Sequence, residues 1–326
     1  MTKFIPVPRS ERDYTVELKG ENTQDDRIHL LQVREIHAIN AALAAGRPLL
    51  VRGEPGVGKS QLARAAAKAL GRTFVKHVID SHTESRDLMW TFDAVKRLAE
   101  AQLAGALRDD RAQAREDLAV NRFLSPGPLW WSLNWKTAEA QAMSVGAESP
   151  AQPDGGDWMN GTVLLLDEID KAETEVPNGL LEVLGAREFT PLAYSEPVRA
   201  DGDAPLVIIT TNEERVLPDA FLRRCLVLHL ALPEEQEKLI TFLVARGRAH
   251  FPQANTALLR EAAEMLYADR ESAIKEQVRP FPGQAEYLDL LRAVLGLSEK
   301  YRDQKKMLST IREYTLRKQS EILATF

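Results

Sequence analysis

The sequence predicts an α/β fold built on a parallel sheet, followed by a smaller domain made only of helices. In the first part of the chain, short apolar runs alternate with stretches of helical spacing, which is typical of parallel strands covered by helices. After Pro233, amphipathic helical stretches continue without a convincing strand. A chain of 326 residues also suits a main domain and a second, smaller one. We therefore expect an N-terminal extension at 1–27, an α/β domain at 28–233 and a helical domain at 234–326.

The elements of the α/β part can be predicted in chain order. Apolar residues at mostly helical spacing begin at Ile28 and stop at Gly46, and a continuous apolar run bounded by proline and glycine follows, as in a buried parallel strand. Ala-rich helices and β-branched strands then alternate. The predicted elements are helices at 28–45, 61–70 and near 177–184, and strands at 48–52, 73–79, 162–166, 206–211 and 226–230.

One long span, about 81–161, interrupts this alternation as an insert. We expect a helix at 91–117 within it, and a mobile loop at 138–156, where Ala, Ser, Pro and Gly dominate without periodicity. Three tryptophans, Trp130, Trp131 and Trp135, precede that loop. They either grip a client protein or, as is commoner for tryptophan, pack the insert against its own domain.

The composition restricts the class of protein. With 44% hydrophobic and 28% charged residues, the chain can bury a core. Its single cysteine, Cys225, cannot form an internal disulfide, and no apolar run approaches the roughly 18 to 20 residues that span a bilayer. These features predict a cytoplasmic protein without a membrane span. A net charge of −6 disfavours a nucleic-acid partner without excluding a local basic groove.

A glycine-rich segment follows the first predicted strand. Gly53-Glu-Pro-Gly-Val-Gly-Lys-Ser60 matches the phosphate-loop pattern, in which backbone N–H groups curl around phosphates, the lysine neutralises them and the hydroxyl binds Mg²⁺. This pattern between a strand and a helix predicts a site for Mg²⁺ and ATP, with Ser60 as a metal ligand. The candidate nucleotide-binding residues are Gly53, Glu54, Pro55, Gly56, Val57, Gly58, Lys59, Ser60 and Gln61.

Two adjacent carboxylates, Asp167 and Glu168, end the apolar strand at 162–166. Such a pair is ordinarily a solvated turn, but the upstream phosphate loop favours a catalytic role. Asp167 would then hold Mg²⁺ through the second shell, and Glu168 would polarise the attacking water as general base. We expect Asp170 and Lys171 to begin the next helix by capping it.

Polar residues also flank the last two predicted strands of the α/β part. Asn212 ends the run at 206–211 and can orient water or contact the terminal phosphate, although asparagine is also a common turn residue. Arg223 and Arg224 precede the strand at 226–230, where a guanidinium can stabilise a transferring phosphoryl group, frequently from a neighbouring subunit. Paired arginines are otherwise solvated surface charge. Cys225 has no partner in spacing range and reads as a small buried residue.

Together these segments resemble the MoxR-like branch of the AAA+ ATPases, of the type with an insert in helix 2. The resemblance runs from about Ile28 to Leu230. It is carried by Asp167-Glu-Ile-Asp-Lys-Ala172, Val176-Pro-Asn-Gly-Leu-Leu-Glu-Val-Leu184, Glu188-Phe-Thr190 and Leu217-Pro-Asp-Ala-Phe-Leu-Arg-Arg224, and, for the insert, by Thr83-Glu-Ser-Arg-Asp-Leu88, Phe92-Asp-Ala94 and Gly127-Pro-Leu-Trp-Trp131.

The resemblance implies a P-loop AAA+ domain with a five-stranded parallel sheet, a helical lid and a homo-oligomeric ring, expected to be a hexamer, with ATP at each interface. By position, Asn212 becomes the sensor-one residue and Arg224 the arginine finger, with Arg223 its neighbour. Many relatives sense the terminal phosphate with a lid arginine, whereas this chain has Gln284 at the corresponding place, and Arg279 is an alternative.

The function implied is remodelling or activation of a protein client at the expense of ATP. Relatives commonly act with a partner that carries a von Willebrand factor A domain, so a separate adaptor is implied by the resemblance alone. Two alternatives stay open: a slow ATP-gated switch, acting as a regulator or defence component, and a motor that remodels nucleic acid.

Overall fold

The computed structural model describes residues 3–6, 14–20, 27–107 and 116–317. The strands are β1 (Tyr14–Leu18), β2 (Arg27–Leu31), β3 (Leu49–Arg52), β4 (Thr73–Val78), β5 (Trp90–Phe92), β6 (Leu124–Pro126), β7 (Thr162–Asp167), β8 (Glu188–Phe189), β9 (Val198–Arg199), β10 (Leu206–Thr211) and β11 (Leu226–His229). The helices are α1 (Val33–Ala45), α2 (Lys59–Leu70), α3 (Ala94–Leu107), α4 (Pro128–Leu133), α5 (Trp135–Val145), α6 (Glu175–Ala186), α7 (Asp219–Leu222), α8 (Gln236–His250), α9 (Thr256–Glu276), α10 (Gln284–Leu297) and α11 (Tyr301–Thr315).

Five strands form the central sheet in the order β11-β3-β10-β7-β4. The pairs β10–β7 and β4–β7 are parallel, with Leu206 opposite Val163 and Thr73 opposite Thr162. Every residue of β7 and β10 is buried, which explains their continuous apolar sequences, since helices cover both faces of such a sheet. The five-stranded parallel sheet predicted for the chain is confirmed.

By their internal contacts, the described residues form two compact units. The described residues of the first unit fall within Met1–Arg12, Gln32–Val51 and Ala63–Leu228, and those of the second fall within Asp13–Leu31, Arg52–Leu62 and His229–Phe326. The core of the first contains apolar residues of the sheet together with the tryptophans of the insert. The core of the second is built from apolar residues of α8, α9, α10 and α11, centred on residues such as Leu243, Leu259 and Tyr287.

The helix expected at 28–45 is wrong in its first turn. Arg27–Leu31 is a strand that pairs antiparallel with Tyr14–Leu18, so part of the predicted N-terminal extension also has regular structure. His29 and Leu31 are buried while Ile28 and Leu30 are half-buried, a period of two that the longer helical pattern downstream obscured. Helix α1 begins only at Val33, where the Glu35 carboxylate accepts a hydrogen bond from the backbone N–H of Gln32 at 2.9 Å.

The insert is more ordered than the sequence predicts. Among the described residues its first helix spans Ala94–Leu107, after the short strand Trp90–Phe92, and residues 108–115 of the predicted helix lie outside them. The loop expected at 138–156 is wrong in its first half, which belongs to α5 and ends at the left-handed Gly146. The loop prediction rests partly on alanine, which is in fact the best helix former.

The second half of that segment is irregular but is attached to the sheet. The Gln152 side chain accepts a hydrogen bond from the Phe74 N–H and donates one to the Phe74 carbonyl, both at 2.8 Å, as a neighbouring strand would. The Asp154 carboxylate, 8% exposed, forms an ion pair with Arg64. These contacts argue against a mobile loop.

The three tryptophans pack within their own unit. Trp130, Trp131 and Trp135 are 1%, 5% and 8% exposed, and all three belong to the core. The indole N–H of Trp130 donates to Thr137 Oγ1 at 3.0 Å, so its polar atom is satisfied. The packing interpretation is therefore confirmed over the client-gripping one. Among the described residues, no helix combines the length and apolar character needed to cross a membrane.

Candidate active site

The phosphate-loop segment links β3 to α2 and depends on glycine. Gly56 and Gly58 have φ of 80° and 96°, a left-handed backbone that other residues rarely adopt. A Cβ at Gly53 would lie 2.1 Å from the carbonyl oxygen of Leu230, so no side chain fits there. Glycine is thus required by backbone conformation at Gly56 and Gly58, and by the close approach of another carbonyl at Gly53.

Lys59 is the buried cation of this loop, with only 7% of its surface exposed. Its Nζ donates to the carbonyl of Gly53 at 2.6 Å and to that of Glu54 at 3.0 Å, so the ammonium lies within the curl of the loop. Lys59 is also the first residue of α2, where the backbone N–H groups of the first turn point along the helix axis and the helix dipole favours an anion. Ser60 and Gln61 follow in the first turn and are half-buried. This set of donors fits a polyphosphate.

Side chains of the second unit surround the loop. Arg270 Nη2 donates to the Glu54 carboxylate at 2.7 Å, and Arg270 Nη1 donates to the carbonyl of Pro282 at 3.0 Å. A Cβ at Gly56 would lie 3.1 Å from that of Ala285, in the first turn of α10. The turn is fixed because Gly283 N–H donates to the Glu286 carboxylate at 3.1 Å. The lid helices therefore hold the loop from one side.

His29 lies beside the same loop and is neutral at physiological pH. Burial, the positive charge of Arg246 and, less strongly, that of His250 lower the pKa of His29 from 6.5 to about 3, although a side-chain hydrogen bond with Gln61 opposes the shift. A Cβ at Gly58 would lie 3.6 Å from His29 Cε1. Sequence reasoning missed this contact, because a helix and a strand separate His29 from the loop.

The acidic pair lies at the carboxyl end of β7 and is bound to the neighbouring strand. The Thr210 hydroxyl of β10 donates to Asp167 Oδ1 at 2.6 Å and accepts from the backbone N–H of Glu168 at 2.9 Å. Asp167 is 9% exposed, and Glu168 has a left-handed backbone with φ of 64°. Thr210 thus orients the Asp167 carboxylate and holds the backbone of Glu168. Sequence reasoning missed Thr210, which appeared only as one more β-branched strand residue.

In the part of the chain that the structure describes, the Glu168 carboxylate has two side-chain partners. Lys171 Nζ forms an ion pair with its Oε2, and this hydrogen bond raises the pKa of Lys171. Asn212 Nδ2 donates to Glu168 Oε1 over a long 3.5 Å. Asn212 therefore lies next to the acidic pair. The negative charge of Glu168 is compensated by Lys171, three residues further along the chain.

Asp170 and Lys171 were expected to cap the following helix, and neither of them does. Asp170 is 2% exposed and accepts hydrogen bonds from the backbone N–H groups of Asn212 at 3.2 Å and Glu214 at 3.0 Å. It belongs to a short 3₁₀ turn at Ile169–Lys171, whereas α6 begins at Glu175. Its role is to join the segments that follow β7 and β10, which positions Asn212 next to Glu168.

Arg223 and Arg224 lie apart from this network, directly after α7, with exposed side chains. Within the described part of the chain, neither guanidinium has a recorded hydrogen bond or ion pair, while both backbone carbonyls accept from the Arg47 guanidinium. Cys225 is 6% exposed, and burial raises the pKa of its thiol to about 11, as fits a small buried residue. Arg279 lies over the Phe281 ring, 5.3 Å from its centroid.

The strands that carry the two motifs belong to one sheet. Strand β10 separates β3, which precedes the phosphate loop, from β7, which carries the acidic pair.

The sequence profile of the AAA domain, dynein-related subfamily, matches residues 48–225, more than half of the chain. The chain belongs to this family. As an AAA domain it is an ATP hydrolase with a nucleotide-binding phosphate loop.

Two individual comparisons accompany the family match. The AAA chain is 26% identical over 291 residues to a Lon protease of Roseiflexus castenholzii, an alignment that covers 86% of this chain and 29% of the relative. The chain therefore spans less than a third of that relative's length. A candidate ATPase of Cytophaga hutchinsonii, solved by crystallography, is 14% identical with a TM-score of 0.39 over 87% of this chain and 80% of its own. That likeness is too low to add to the assignment.

Proposed function

We propose that this AAA domain binds Mg-ATP through its phosphate loop and hydrolyses it with the acidic pair. The observation that carries the proposal is the buried Lys59 ammonium within a left-handed glycine loop at the start of a helix. Gly53, Glu54, Pro55, Gly56, Val57, Gly58 and Gln61 shape the rest of that cradle. Ser60 and Asp167 would hold Mg²⁺, which neutralises charge on the phosphates when bound.

The remaining residues act on water and on developing charge. Glu168 accepts a proton from the attacking water, and Asn212, which hydrogen-bonds to that carboxylate, orients the water or the outer phosphate. For this, Glu168 must exchange its ion pair with Lys171 for a contact with water. Arg224, with Arg223 beside it, stabilises the transferring phosphoryl group of an adjacent subunit.

Two variants test this division of roles. Lys59→Ala should lose ATP binding, because the phosphates lose their buried cation, whereas Glu168→Gln should bind ATP normally and lose turnover by about 100- to 10,000-fold. Equilibrium titration with a fluorescent ATP analogue and steady-state phosphate release measure the two effects. Equal loss of nucleotide affinity in both variants would refute the assignment.

We further propose that the protein is a MoxR-like ATPase that forms a ring, expected to be hexameric, and remodels a protein client. Support comes from the MoxR-like strings around the acidic pair, from the exposed pair Arg223 and Arg224, and from similarity to part of a protease, which favours a protein over a nucleic acid as client. An adaptor with a von Willebrand factor A domain belongs to this proposal. Sedimentation with ATP tests assembly, and capture of partners by the ATP-trapped Glu168→Gln form tests the client.

A slow ATP-gated switch is the second candidate, favoured by the ion pair between Lys171 and Glu168. A base engaged by a lysine is not free to activate water, so basal turnover is expected to be low. Turnover measured with and without the captured partner separates the two functions. A motor accelerates when its client is added, whereas a switch stays slow and changes only its affinity for the partner.

A further inference from the structure

The guanidinium of Arg47 holds the backbone at the end of α7. Arg47 lies between α1 and β3 and is half-buried. Its Nε donates a hydrogen bond to the backbone carbonyl of Arg224 at 3.1 Å, and its Nη2 donates to that of Arg223. These carbonyls lie 177 and 176 positions further along the chain. Because a guanidinium is a rigid planar fork, it fixes the two carbonyls relative to each other.

The two carbonyls belong to the peptide groups on either side of the Arg224 Cα. The N–H groups of the same two peptide groups are bonded as well. That of Arg224 donates to the Phe221 carbonyl at 3.0 Å, and that of Cys225 donates to the Leu222 carbonyl at 3.2 Å. Since the peptide groups are planar and each is held at both of its ends, the two backbone torsions of Arg224 are fixed. The direction in which its side chain leaves the backbone is therefore fixed too.

Arg47 supplies donors that α7 itself cannot supply. A helix leaves its last carbonyls without partners inside the helix, and α7 has only one turn before the chain continues into β11. The Leu226 N–H donates to the Pro48 carbonyl at 2.8 Å, so the residue after Arg47 is bonded to the strand that follows Arg224. Phe221, which is fully buried, anchors the other end of the segment.

The charges in this segment favour an anion that comes from elsewhere. Arg223 and Arg224 have exposed side chains, and within the described residues no ion pair is recorded for these two arginines or for Arg47. The positive charge of Arg47 reaches the segment, because it opposes the burial that raises the pKa of Cys225. Cationic groups gathered on an exposed surface attract a polyphosphate.

We propose that Arg47 is a positioning residue for Arg224: it holds the backbone so that the Arg224 guanidinium is directed at the nucleotide of the adjacent subunit. This inference rests on the proposed role of Arg224. It also separates Arg224 from Arg223, because only Arg224 has a carbonyl bonded to Arg47 in both of its flanking peptide groups. Arg47 itself does not touch the nucleotide.

The first test removes the two hydrogen bonds. Arg47→Met keeps the apolar stem, and turnover should fall by about 10- to 100-fold with ATP affinity unchanged, as is usual for a residue that acts through another. Arg47→Lys keeps the charge and one bond, so it should lose less. Steady-state phosphate release and titration with a fluorescent ATP analogue provide the measurements, and circular dichroism confirms folding.

A matched control is Arg97→Met in the insert. Arg97 is also half-buried, and its Nε donates to the Leu118 carbonyl at 3.0 Å, so the variant likewise removes a bond from a guanidinium to the backbone. Its turnover should equal that of the wild type. An equal fall in Arg97→Met and Arg47→Met, or normal turnover in Arg47→Met, would overturn the inference.

Mixing variants shows on which subunit Arg47 acts. Arg47→Met mixed with Glu168→Gln should exceed the summed rates of the two variants alone, because the second presents a directed Arg224 to the intact site of the first. Arg47→Met mixed with Arg224→Ala should show no such gain, because neither presents a directed arginine. With co-assembly verified by sedimentation, a gain in the second mixture would place the effect of Arg47 in its own subunit's site and overturn the inference.

The two levels of the proposal fail differently. If Arg224→Ala has normal turnover, the proposed role of Arg224 is wrong, and the role of Arg47 is wrong with it. If Arg224→Ala is slow while Arg47→Met is as fast as the wild type, only the positioning role is wrong. In the double variant, Arg47→Met should slow Arg224→Ala no further, since there is no arginine left to direct.

Discussion

The acidic edge and the phosphate loop achieve their conformations by different means. In the first unit, side-chain hydrogen bonds hold the acidic edge: Thr210 bonds to the Asp167 carboxylate and to the Glu168 backbone N–H, and Asp170 holds the backbone of Asn212. In the second unit, the loop is shaped by backbone conformation at glycines such as Gly56 and supported by lid residues. The difference suggests that single side chains at the acidic edge control the rate of ATP hydrolysis, whereas folding of the lid controls the affinity for ATP.

Arg224 belongs to neither network, and its removal should have a large effect on turnover. Arg224→Ala should lower turnover by about 1,000-fold or more with little change in ATP affinity, because a permanently charged guanidinium stabilises charge that develops in the transition state. Arg223→Ala should have the smaller effect. Steady-state phosphate release and nucleotide titration provide the measurements. A normal rate in Arg224→Ala would remove it from the site.

Mixing variants tests whether Arg224 acts on an adjacent subunit. An Arg224→Ala subunit keeps its own Lys59 and Glu168, while a Glu168→Gln subunit keeps its own arginine. At mixed interfaces, the first can therefore hydrolyse ATP with the arginine of the second, and some activity should return. If no activity returns although co-assembly is verified, the shared-site proposal is wrong for this residue.

The parts of the fold that the sequence predicted well are those where local pattern and burial agree. Strands β7 and β10 are buried along their whole length, so their apolar runs were unambiguous, and the helix near 177–184 was found as Glu175–Ala186. Errors arose where two patterns overlapped. The strand Arg27–Leu31 directly precedes a helix, and α5 contains the alanines that we read as a loose loop.

The candidate site was predictable only where its residues are adjacent in sequence. The phosphate loop and the acidic pair are contiguous motifs, and Asn212 follows a recognisable strand. His29 and Arg270 reach the loop from distant segments, and nothing in a single sequence joins a lid arginine to Glu54 of the loop. Asp170 was misread because its partners are backbone N–H groups far along the chain, which local capping rules do not include.

The contribution of side-chain hydrogen bonds at the acidic edge can be tested at Thr210. Thr210→Val keeps the shape but removes the hydroxyl that bonds to Asp167 and to the Glu168 N–H. Turnover should fall by about 10- to 100-fold, as is usual when a supporting partner of a site is removed, while ATP affinity stays close to that of the wild type. Rates at several Mg²⁺ concentrations, alongside nucleotide titration, provide the measurement.

The adjacent Thr211 offers a matched control. It is 1% exposed, and its hydroxyl accepts from the backbone N–H of Glu213 at 2.9 Å. Thr211→Val should therefore cost a similar free energy of unfolding, about 1 to 3 kcal/mol, because each variant leaves a backbone N–H without its partner. Turnover should fall only in Thr210→Val. A comparable fall in both variants would mean that the stability of the strand sets the rate of ATP hydrolysis. The hydrogen bonds of Thr210 to Asp167 and Glu168 would then not be responsible.

The loop side of the comparison is tested by pH at His29, the smallest effect that we predict. Its pKa is lowered from 6.5 to about 3 in the folded chain, so below pH 6.5 the unfolded chain binds a proton that the folded chain does not. Stability from this residue is therefore complete above pH 6.5 and is lost as pH falls toward the folded pKa. Between about pH 7.5 and about pH 5 the loss should reach about 2 kcal/mol.

Urea unfolding of the wild type and of His29→Gln at the two pH values isolates this contribution, because other groups titrate alike in both proteins. His29→Gln should lose about 2 kcal/mol less than the wild type over the same interval. The same substitution at the exposed His37 serves as the control for loss of a histidine. If His29→Gln shows the same pH dependence as the wild type, His29 does not remain neutral beside Arg246, and packing of the lid against the loop must tolerate an imidazolium.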